Sequence, residues 1–260
     1  MSAFVIKLGG ALIDDAEVLA ALVAQLKKLH AAGQAFVLVH GGGKAVDAQL
    51  AKLGLKSEKV NGLRVTPKEH LEQIVGVLAG QMNATLVASL LAAGIPAVGL
   101  ALADGFMTTA KQAQFDGFDL GQVGVVKPGD AKLLNVLLGN GFIPVISSIA
   151  SAEGEHFNVN ADDAAEAVAQ LIGAQALVLL TDVAGVLDGK GECLPQLGEQ
   201  QIEELIAAGV IAGGMIAKVK AALCASAASG SPVLITHWRR ADALAEFRQG
   251  RVQGTLITAN

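Results

Sequence analysis

A repeated order of helix, glycine and apolar strand is the feature that most restricts the folds open to this chain. It occurs at residues 26–40, 89–101, 134–148 and 224–236, and less regularly at 168–180. The glycines of the four regular copies suit the left-handed position that ends a helix; they are Gly33, Gly94, Gly141 and Gly230. Helices that alternate with apolar strands predict a mainly parallel sheet covered by helices on both faces.

The length and composition allow one large core. The chain has 260 residues, of which 52% are apolar and 3% aromatic, so the core must consist mainly of Ala, Val, Leu and Ile. A chain of this length forms one large α/β domain or two lobes on one sheet. The sequence has no linker or low-complexity segment. We therefore expect any division to be into two lobes of one sheet.

The composition also disfavours several classes of protein. A net charge of −5, with acidic and basic residues interspersed, argues against nucleic-acid binding. Cys193 and Cys224 form no close-spaced metal pattern and are expected to be reduced thiols. Residues 73–103 are uncharged, but the break at 94–96 favours helix, turn and strand over a membrane span. With no signal-peptide pattern at the N-terminus, we expect a cytoplasmic protein that does not bind membranes.

Lys7 lies in an apolar, β-branched run, VIKLGG at residues 5–10. Such a run is typical of a buried parallel strand. A buried ammonium group is unfavourable unless an anion pairs with it. The sequence therefore predicts an anion close to Lys7.

Two glycine clusters, at residues 9–10 and 41–43, each follow an apolar strand and precede a helix. This order points backbone N–H groups and a helix N-terminus at an anion, often a phosphate, although glycines also make tight turns. No P-loop pattern occurs, and G-x-G-x-x-G/A fails because Val46 takes its last position. The HGGG at 40–43 also occurs in esterase oxyanion holes, but the chain lacks the G-x-S-x-G serine of those enzymes.

Three further segments open predicted helices. Residues 66–69, TPKE, form a capping-box pattern with proline at the first helical position. Asp162 opens an alanine-rich helix, where it could be a helix cap or part of a site. A glycine pair at 213–214 precedes a helix that carries Lys218 and Lys220, which could equally form a solvated face.

Taken together, these motifs resemble the amino acid kinase family over essentially the whole chain. The motifs that carry the resemblance occur in order: Lys7, HGGG (40–43), NGLRVT (61–66), NVNADDAA (158–165), LLTDVAGVLDGKG (179–191) and GGMIAKV (213–219). The resemblance implies a carbamate kinase-like, three-layer αβα sandwich. It also implies an N-terminal lobe for the amino-acid substrate (1–173) and a C-terminal lobe for ATP (174–260). NGLRVT favours the member that phosphorylates the side-chain carboxylate of N-acetyl-L-glutamate over those acting on carbamate, glutamate, aspartate or uridylate.

The resemblance also implies roles for individual residues. Lys7 and Lys218 would stabilise the transferring phosphoryl group from opposite sides, and Asp162 would hold both lysines. The substrate would be bound by Gly42, Gly43, Arg64 and Asn158. ATP would be bound by Gly9, Gly10, Asp182, Val183, Ala184, Gly185, Val186, Leu187, Val210, Ile211 and Ala212. Mg²⁺ would be carried on the phosphates of ATP, without a metal site built by the protein.

The implied chemistry agrees with the residue types present. A substrate carboxylate is ionised at neutral pH, so phosphoryl transfer to it needs no general base, and none is evident. The reaction needs positioning and neutralisation of charge, which lysines, glycine N–H groups and Mg²⁺ supply. The planar fork of Arg64 suits a carboxylate.

Two alternatives stay open at this point. A kinase of the same fold could act on N-acetyl-L-aminoadipate, because one methylene group changes binding by only about 1–3 kcal/mol. A non-catalytic amino-acid sensor is the other alternative, although it would not need the lysines. Arginine-inhibited relatives carry an extra N-terminal helix, whereas only six residues precede Lys7. We therefore expect a homodimer that arginine does not inhibit.

Overall fold

The structure is a computed structural model that describes residues 3–60, 62–114, 117, 119–240 and 242–259, with only the backbone of Ala11. Asn61, the first residue of NGLRVT, lies outside these ranges. The strands are β1 Ala3–Leu8, β2 Ala35–His40, β3 Lys59–Val60, β4 Leu63–Arg64, β5 Ala97–Ala101, β6 Thr108–Gln112, β7 Val123–Pro128, β8 Ile143–Ser147, β9 Ile149–Ala152, β10 Glu155–Val159, β11 Ala176–Thr181, β12 Gln196–Leu197, β13 Val233–His237 and β14 Thr255–Ile257.

The helices are α1 Gly10–Asp14, α2 Ala16–Ala31, α3 Gly43–Lys52, α4 Lys68–Val75, α5 Asn83–Ala92, α6 Lys132–Gly139, α7 Ala161–Ile172, α8 Glu199–Ala207, α9 Gly214–Ser229 and α10 Ala243–Arg248. A π-helix, Gly76–Met82, joins α4 to α5, and a short 3-10 helix covers Asp104–Phe106.

Eight strands form the central sheet, in the order β12-β14-β13-β11-β1-β2-β8-β5. Among the described strands of this sheet, neighbours are parallel except β13 and β14. A four-stranded sheet, β6-β7-β10-β9, and the hairpin β3-β4 lie beside it. The prediction of a mainly parallel sheet is confirmed. Strands β6 and β7 pair antiparallel, and so do β9 and β10.

Side chains of the central strands alternate between two apolar clusters. On β1, Phe4, Ile6 and Leu8 belong to one cluster, and Ala3 and Val5 to the other. The first cluster includes residues of α1 to α5 and α10, and the second includes residues of α6, α7, α8 and α9. Helices therefore cover both faces of the sheet, which confirms the three-layer αβα sandwich. Lys7 follows the alternation of Val5, so its side chain lies on the face covered by α7 and α9.

Local sequence patterns account for the ends of several helices. Helix α2 buries Val18, Leu22, Leu26 and Leu29 at helical spacing. Asp15 caps it by accepting hydrogen bonds from the N–H groups of the second and third residues of the helix. The four predicted helix-ending glycines all have positive φ angles, between 65° and 80°.

The predicted capping box at residues 66–69 is wrong, although a helix does begin at Lys68. The Thr66 hydroxyl donates to the carbonyl of Arg64 at 2.9 Å instead of capping α4. The backbone of Thr66 bonds to Leu120 and Gln122, at 2.9 and 2.7 Å. These backbone bonds, to residues distant in sequence, hold Thr66 in an isolated β-bridge. They override its local preference for capping a helix.

The helical stretch Lys68–Ala92 is long and apolar enough, by length and composition, to cross a membrane. Of its most apolar 18-residue segment, 39% is buried. Ile74, Leu78, Leu86 and Leu90 from this stretch belong to the core cluster on the sheet. The uncharged sequence at 73–103 thus forms a helix packed on the sheet, a turn and the strand β5.

Candidate active site

Glycine loops and polar side chains gather at the carboxyl ends of the central strands. Gly9 and Gly10 follow β1, and Gly41–Gly43 follow β2, with a helix beginning at the last glycine of each cluster. Asp182 follows β11, the other neighbour of β1. Open α/β sheets bind ligands at this edge.

Two clefts open there. The first, which we call the glycine cleft, has a volume of about 240 Å³ and is lined by both glycine loops, Arg64 and Asn158. The second, which we call the helix cleft, has a volume of about 390 Å³ and is lined by α7, α9 and β11. Both clefts include Lys7, Asn160 and Asp162. These three residues therefore mark the place where the clefts meet.

Lys7 has the anionic partner that its position demands. Its Nζ lies 2.9 Å from Oδ1 of Asp162, and 17% of the Lys7 side chain is exposed. Asp162 is in the first turn of α7, where the side chain of Asn160 caps the helix by accepting from the Asp162 N–H at 2.7 Å. The cap is therefore Asn160, and the Asp162 carboxylate is left to pair with Lys7.

Lys218 pairs with another carboxylate. Its Nζ lies 3.3 Å from Oδ1 of Asp182, and this hydrogen bond is the main reason why the pKa of Asp182 is lowered. The expectation that Asp162 holds both lysines is corrected here: Asp162 pairs with Lys7, and Lys218 pairs with Asp182. Lys218 nevertheless lines the helix cleft together with Lys7 and Asp162.

Arg64 is 9% exposed and held by three acceptors. Its Nη1 donates to Asp47 and to the hydroxyl of Ser57, and its Nη2 donates to the carbonyl of Gly43 at 2.9 Å. The hydrogen bond from Arg64 lowers the pKa of Asp47 to about 2. The guanidinium group therefore reaches the glycine cleft with a fixed orientation.

The glycine loops touch each other. A Cβ atom on Gly10 would lie 2.7 Å from the Cα of Gly42. A Cβ atom on Gly42 would lie 2.0 Å from the sulfur of Met82, at the end of the π-helix. Close packing thus gives these glycines a structural role in addition to the predicted ligand contacts. Asn158, from β10, donates from Nδ2 to the Thr66 hydroxyl at 3.1 Å.

His40 is the buried polar residue beneath these loops. Its Nδ1 lies 3.3 Å from the carbonyl of Gly41, and its Nε2 lies 3.0 Å from Nδ2 of Asn83. Burial lowers the pKa of His40 to about 4. A neutral ring with a proton on Nδ1 satisfies both contacts, because Nε2 then accepts from the amide of Asn83.

The other predicted nucleotide residues lie in two segments next to the helix cleft. Asp182–Leu187 follow β11, and Val210–Ala212 precede α9, but neither segment lines either cleft. Val186 and Ile211 are 1% and 2% exposed and belong to the core. The N–H of Val186 donates to the Thr255 hydroxyl at 2.8 Å. The predicted contacts of this set with ATP stay predictions.

Sequence reasoning missed several residues of the site. Asp47 and Ser57 hold Arg64, and Lys59 lines the glycine cleft. Asp163 and Glu166 line the helix cleft, and burial raises the pKa of both carboxyl groups. Asp47 could have been found from its position one helical turn after Gly43, because residues four apart share a helix face.

Comparison with known proteins shows the family to which the chain belongs. The model of the amino acid kinase family matches residues 2–237. The chain is 49% identical over 256 residues to an acetylglutamate kinase of Aeromonas salmonicida, covering 98% of this chain and 97% of that one. It is 47% identical over 261 residues to an acetylglutamate kinase of Serratia proteamaculans, covering 100% of both.

Among solved structures, an N-acetylglutamate synthase from Neisseria gonorrhoeae, complexed with coenzyme A and N-acetyl-glutamate, superposes with a TM-score of 0.85 at 27% identity. The match covers all of this chain and 60% of the synthase chain. Because the family match extends over most of the sequence, this chain belongs to the amino acid kinase family.

Proposed function

We propose that this protein catalyses the ATP-dependent phosphorylation of the side-chain carboxylate of N-acetyl-L-glutamate to N-acetyl-L-glutamyl 5-phosphate. The meeting of two clefts at the Lys7–Asp162 pair carries the proposal. A phosphoryl group at this point is open to a carboxylate from one cleft and to a nucleotide from the other. Relatives named acetylglutamate kinase, 47–49% identical over nearly the whole chain, support the choice of substrate.

The chemistry requires charge neutralisation and no general base. The acceptor carboxylate attacks the γ-phosphorus of ATP, the bond to the bridging oxygen breaks, and ADP leaves. Lys7 and Lys218 line the helix cleft and stabilise negative charge on the phosphoryl oxygens. Asp162 orients Lys7. Mg²⁺ bound to the phosphates of ATP supplies further positive charge.

The two substrates occupy the two sides of this junction. N-acetyl-L-glutamate lies in the glycine cleft, with its α-carboxylate at Arg64 and its side-chain carboxylate towards Lys7. Its other polar groups lie at Gly42, Gly43 and Asn158. ATP approaches from the helix cleft, and its phosphates extend past Lys7 to Gly9 and Gly10, which line the glycine cleft. This arrangement corresponds to an N-terminal lobe of residues 1–173 and a C-terminal lobe of residues 174–260 on one continuous sheet.

The decisive experiment measures ADP release and traps the acyl phosphate with hydroxylamine. The acceptors are N-acetylglutamate, glutamate, N-acetyl-aminoadipate and carbamate. We expect turnover with N-acetylglutamate and the highest kcat/KM for it. A higher kcat/KM for N-acetyl-aminoadipate would move the assignment to the longer acid, and binding without turnover of any acid would identify a sensor.

The biological setting is also proposed. Phosphorylation of N-acetylglutamate is the second step of arginine biosynthesis, and the use of ATP supports a cytoplasmic location. We expect a homodimer, because β5 ends the central sheet within the described part of the chain and can pair with a second strand. Leu91, on the neighbouring α5, is 53% exposed. Light scattering coupled to size-exclusion chromatography tests the dimer.

A further inference from the structure

The guanidinium group of Arg64 is restrained by the protein itself before any ligand is considered. A guanidinium has five N–H donors. Nη1 of Arg64 donates to both Asp47 and Ser57, which uses its two N–H groups, and Nη2 donates once, to Gly43. Among the described residues, the Nε–H and one N–H of Nη2 are left without a partner. These two donors are available to a ligand in the glycine cleft.

Asp47 is the charged member of this set. It lies on α3, one helical turn after Gly43, while Arg64 lies on β4. Its second oxygen is 3.4 Å from Nζ of Lys59 on β3. Lys59 and Arg64 are paired in register across the β3-β4 hairpin. The Asp47 carboxylate therefore connects both strands of the hairpin to α3, the helix that begins at Gly43.

The hairpin depends on such side-chain contacts. Each of its strands has only two residues, and within the described chain it forms a sheet of its own. Its base is fixed by the backbone bonds of Thr66 to Leu120 and Gln122. A two-stranded hairpin of this size is at best marginally stable by itself. The contacts of Asp47 with Lys59 and Arg64 connect the hairpin to α3 beside the glycine cleft.

We infer that Asp47 is a positioning residue, which orients Arg64 so that its Nε–H and remaining Nη2–H meet the α-carboxylate of the acceptor substrate. The inference rests on the proposed function, because it assigns the ligand of Arg64 to that reaction. Asp47 does not line either cleft, so it acts through Arg64.

The charges of the three residues agree with this role. The Arg64 guanidinium lowers the pKa of Asp47 to about 2, so Asp47 is ionised throughout the neutral range. With Lys59 and Arg64 positive, the group has a net charge of +1. A second carboxylate, from the substrate, is therefore attracted, although Asp47 is itself an anion.

The test compares Asp47→Ala and Asp47→Asn with the wild type. Asp47→Ala is expected to raise the KM for N-acetylglutamate about 10- to 100-fold, the range for losing a hydrogen bond between charged groups. The kcat and the KM for ATP should stay near their wild-type values. Asp47→Asn keeps an acceptor oxygen for Nη1 without the charge. Its KM for N-acetylglutamate should therefore lie between those of the wild type and Asp47→Ala. Asp242→Ala is the matched control, because it breaks an exposed ion pair with Lys28 outside both clefts.

The Arg64→Ala background shows whether Asp47 acts through Arg64. There, Asp47→Ala should leave the KM for N-acetylglutamate unchanged. An equally large rise in that background would overturn the inference, and so would a loss confined to kcat. If Asp47→Ala does not fold, Asp47→Asn decides the same questions.

The proposed function can fail independently of this inference. Its failure is seen in the wild-type protein, as no turnover of any acid. In that case the coupling of Asp47 and Arg64 is measured from urea unfolding of the two single variants and the double variant. We expect their effects on the unfolding equilibrium constant to deviate from additivity by about fivefold or more. Additive effects would overturn the inference.

Discussion

Nζ of Lys7 and Oδ1 of Asp162 are 2.9 Å apart at the point where the glycine cleft meets the helix cleft. The pair explains how a lysine is kept in an otherwise apolar strand. It also places a cation in the lining of both clefts, which is where the proposed reaction needs one. The ammonium group is oriented in advance, so in the proposed reaction it would stabilise the transition state with little reorganisation.

We predict that Lys7→Ala lowers kcat by about 10²- to 10³-fold, the range for removing one group that stabilises transition-state charge. The KM for N-acetylglutamate should change much less. Steady-state ADP release measures both constants. Lys28→Ala is the control, because the Lys28 side chain is 64% exposed and pairs with Asp242 outside both clefts. An unchanged kcat in Lys7→Ala would remove Lys7 from the catalytic residues.

Lys218→Ala should also lower kcat by about 10²-fold or more, because Lys218 lines the helix cleft with Lys7. In the structure Lys218 pairs with the exposed Asp182, so the proposed role requires the ammonium group to turn from that carboxylate to the phosphates. Lys220→Ala is the matched control on the same helix, because Lys220 is exposed. Equal activity of the two variants would contradict the role of Lys218.

Arg64→Ala is expected to raise the KM for N-acetylglutamate by about 10- to 100-fold, with a smaller effect on kcat. Arg64→Lys should not restore binding, because an ammonium group cannot replace the planar fork. Initial rates over a range of both substrates give the two KM values. A rise only in the KM for ATP would show that the substrates are assigned to the wrong lobes.

Gly10→Ala should destabilise the fold by about 1–3 kcal/mol, because its methyl group would press against the backbone of Gly42. Gly9→Ala is the control, since a Cβ atom there has no described atom within 4 Å and the φ of Gly9 is −72°. Its effect on the free energy of unfolding should stay within about 0.5 kcal/mol. Urea denaturation measures both values, and equal stability of the two variants would exclude the close packing of the loops.

The stability of the protein should depend on pH through His40. The pKa of His40 is about 4 in the folded state and 6.5 as its ordinary value. Between these values the unfolded chain binds a proton that the folded chain does not, so the free energy of unfolding falls as the pH falls. Across this interval His40 lowers the free energy of unfolding by about 3 kcal/mol in total.

Urea denaturation of the wild type and His40→Gln at several pH values between 7 and 4 isolates this contribution. The variant should lose less stability than the wild type over that interval, whatever its stability at pH 7. Parallel curves for the two proteins would show that His40 is not the responsible group.

Many of the elements could be predicted because their causes are local. The helix-ending glycines, the apolar spacing of α2 and the run containing Lys7 depend on residues close together in the chain. Local reasoning failed at Thr66, where backbone bonds to Leu120 and Gln122 replace the predicted cap. It also could not place Val186 and Ile211 in the core, because their burial is decided by elements packed from elsewhere.

The sequence by itself determined the layered α/β architecture, the glycine loops at the strand ends and the need for an anion at Lys7. The tertiary structure alone decided which charges meet. Asp162 forms an ion pair with Lys7, Asp182 with Lys218 and Asp47 with Arg64. These partners are separated by up to 155 residues in sequence, as Lys7 and Asp162 are. Ion pairs form over a few ångströms in space, and only the packing of strands and helices sets those distances.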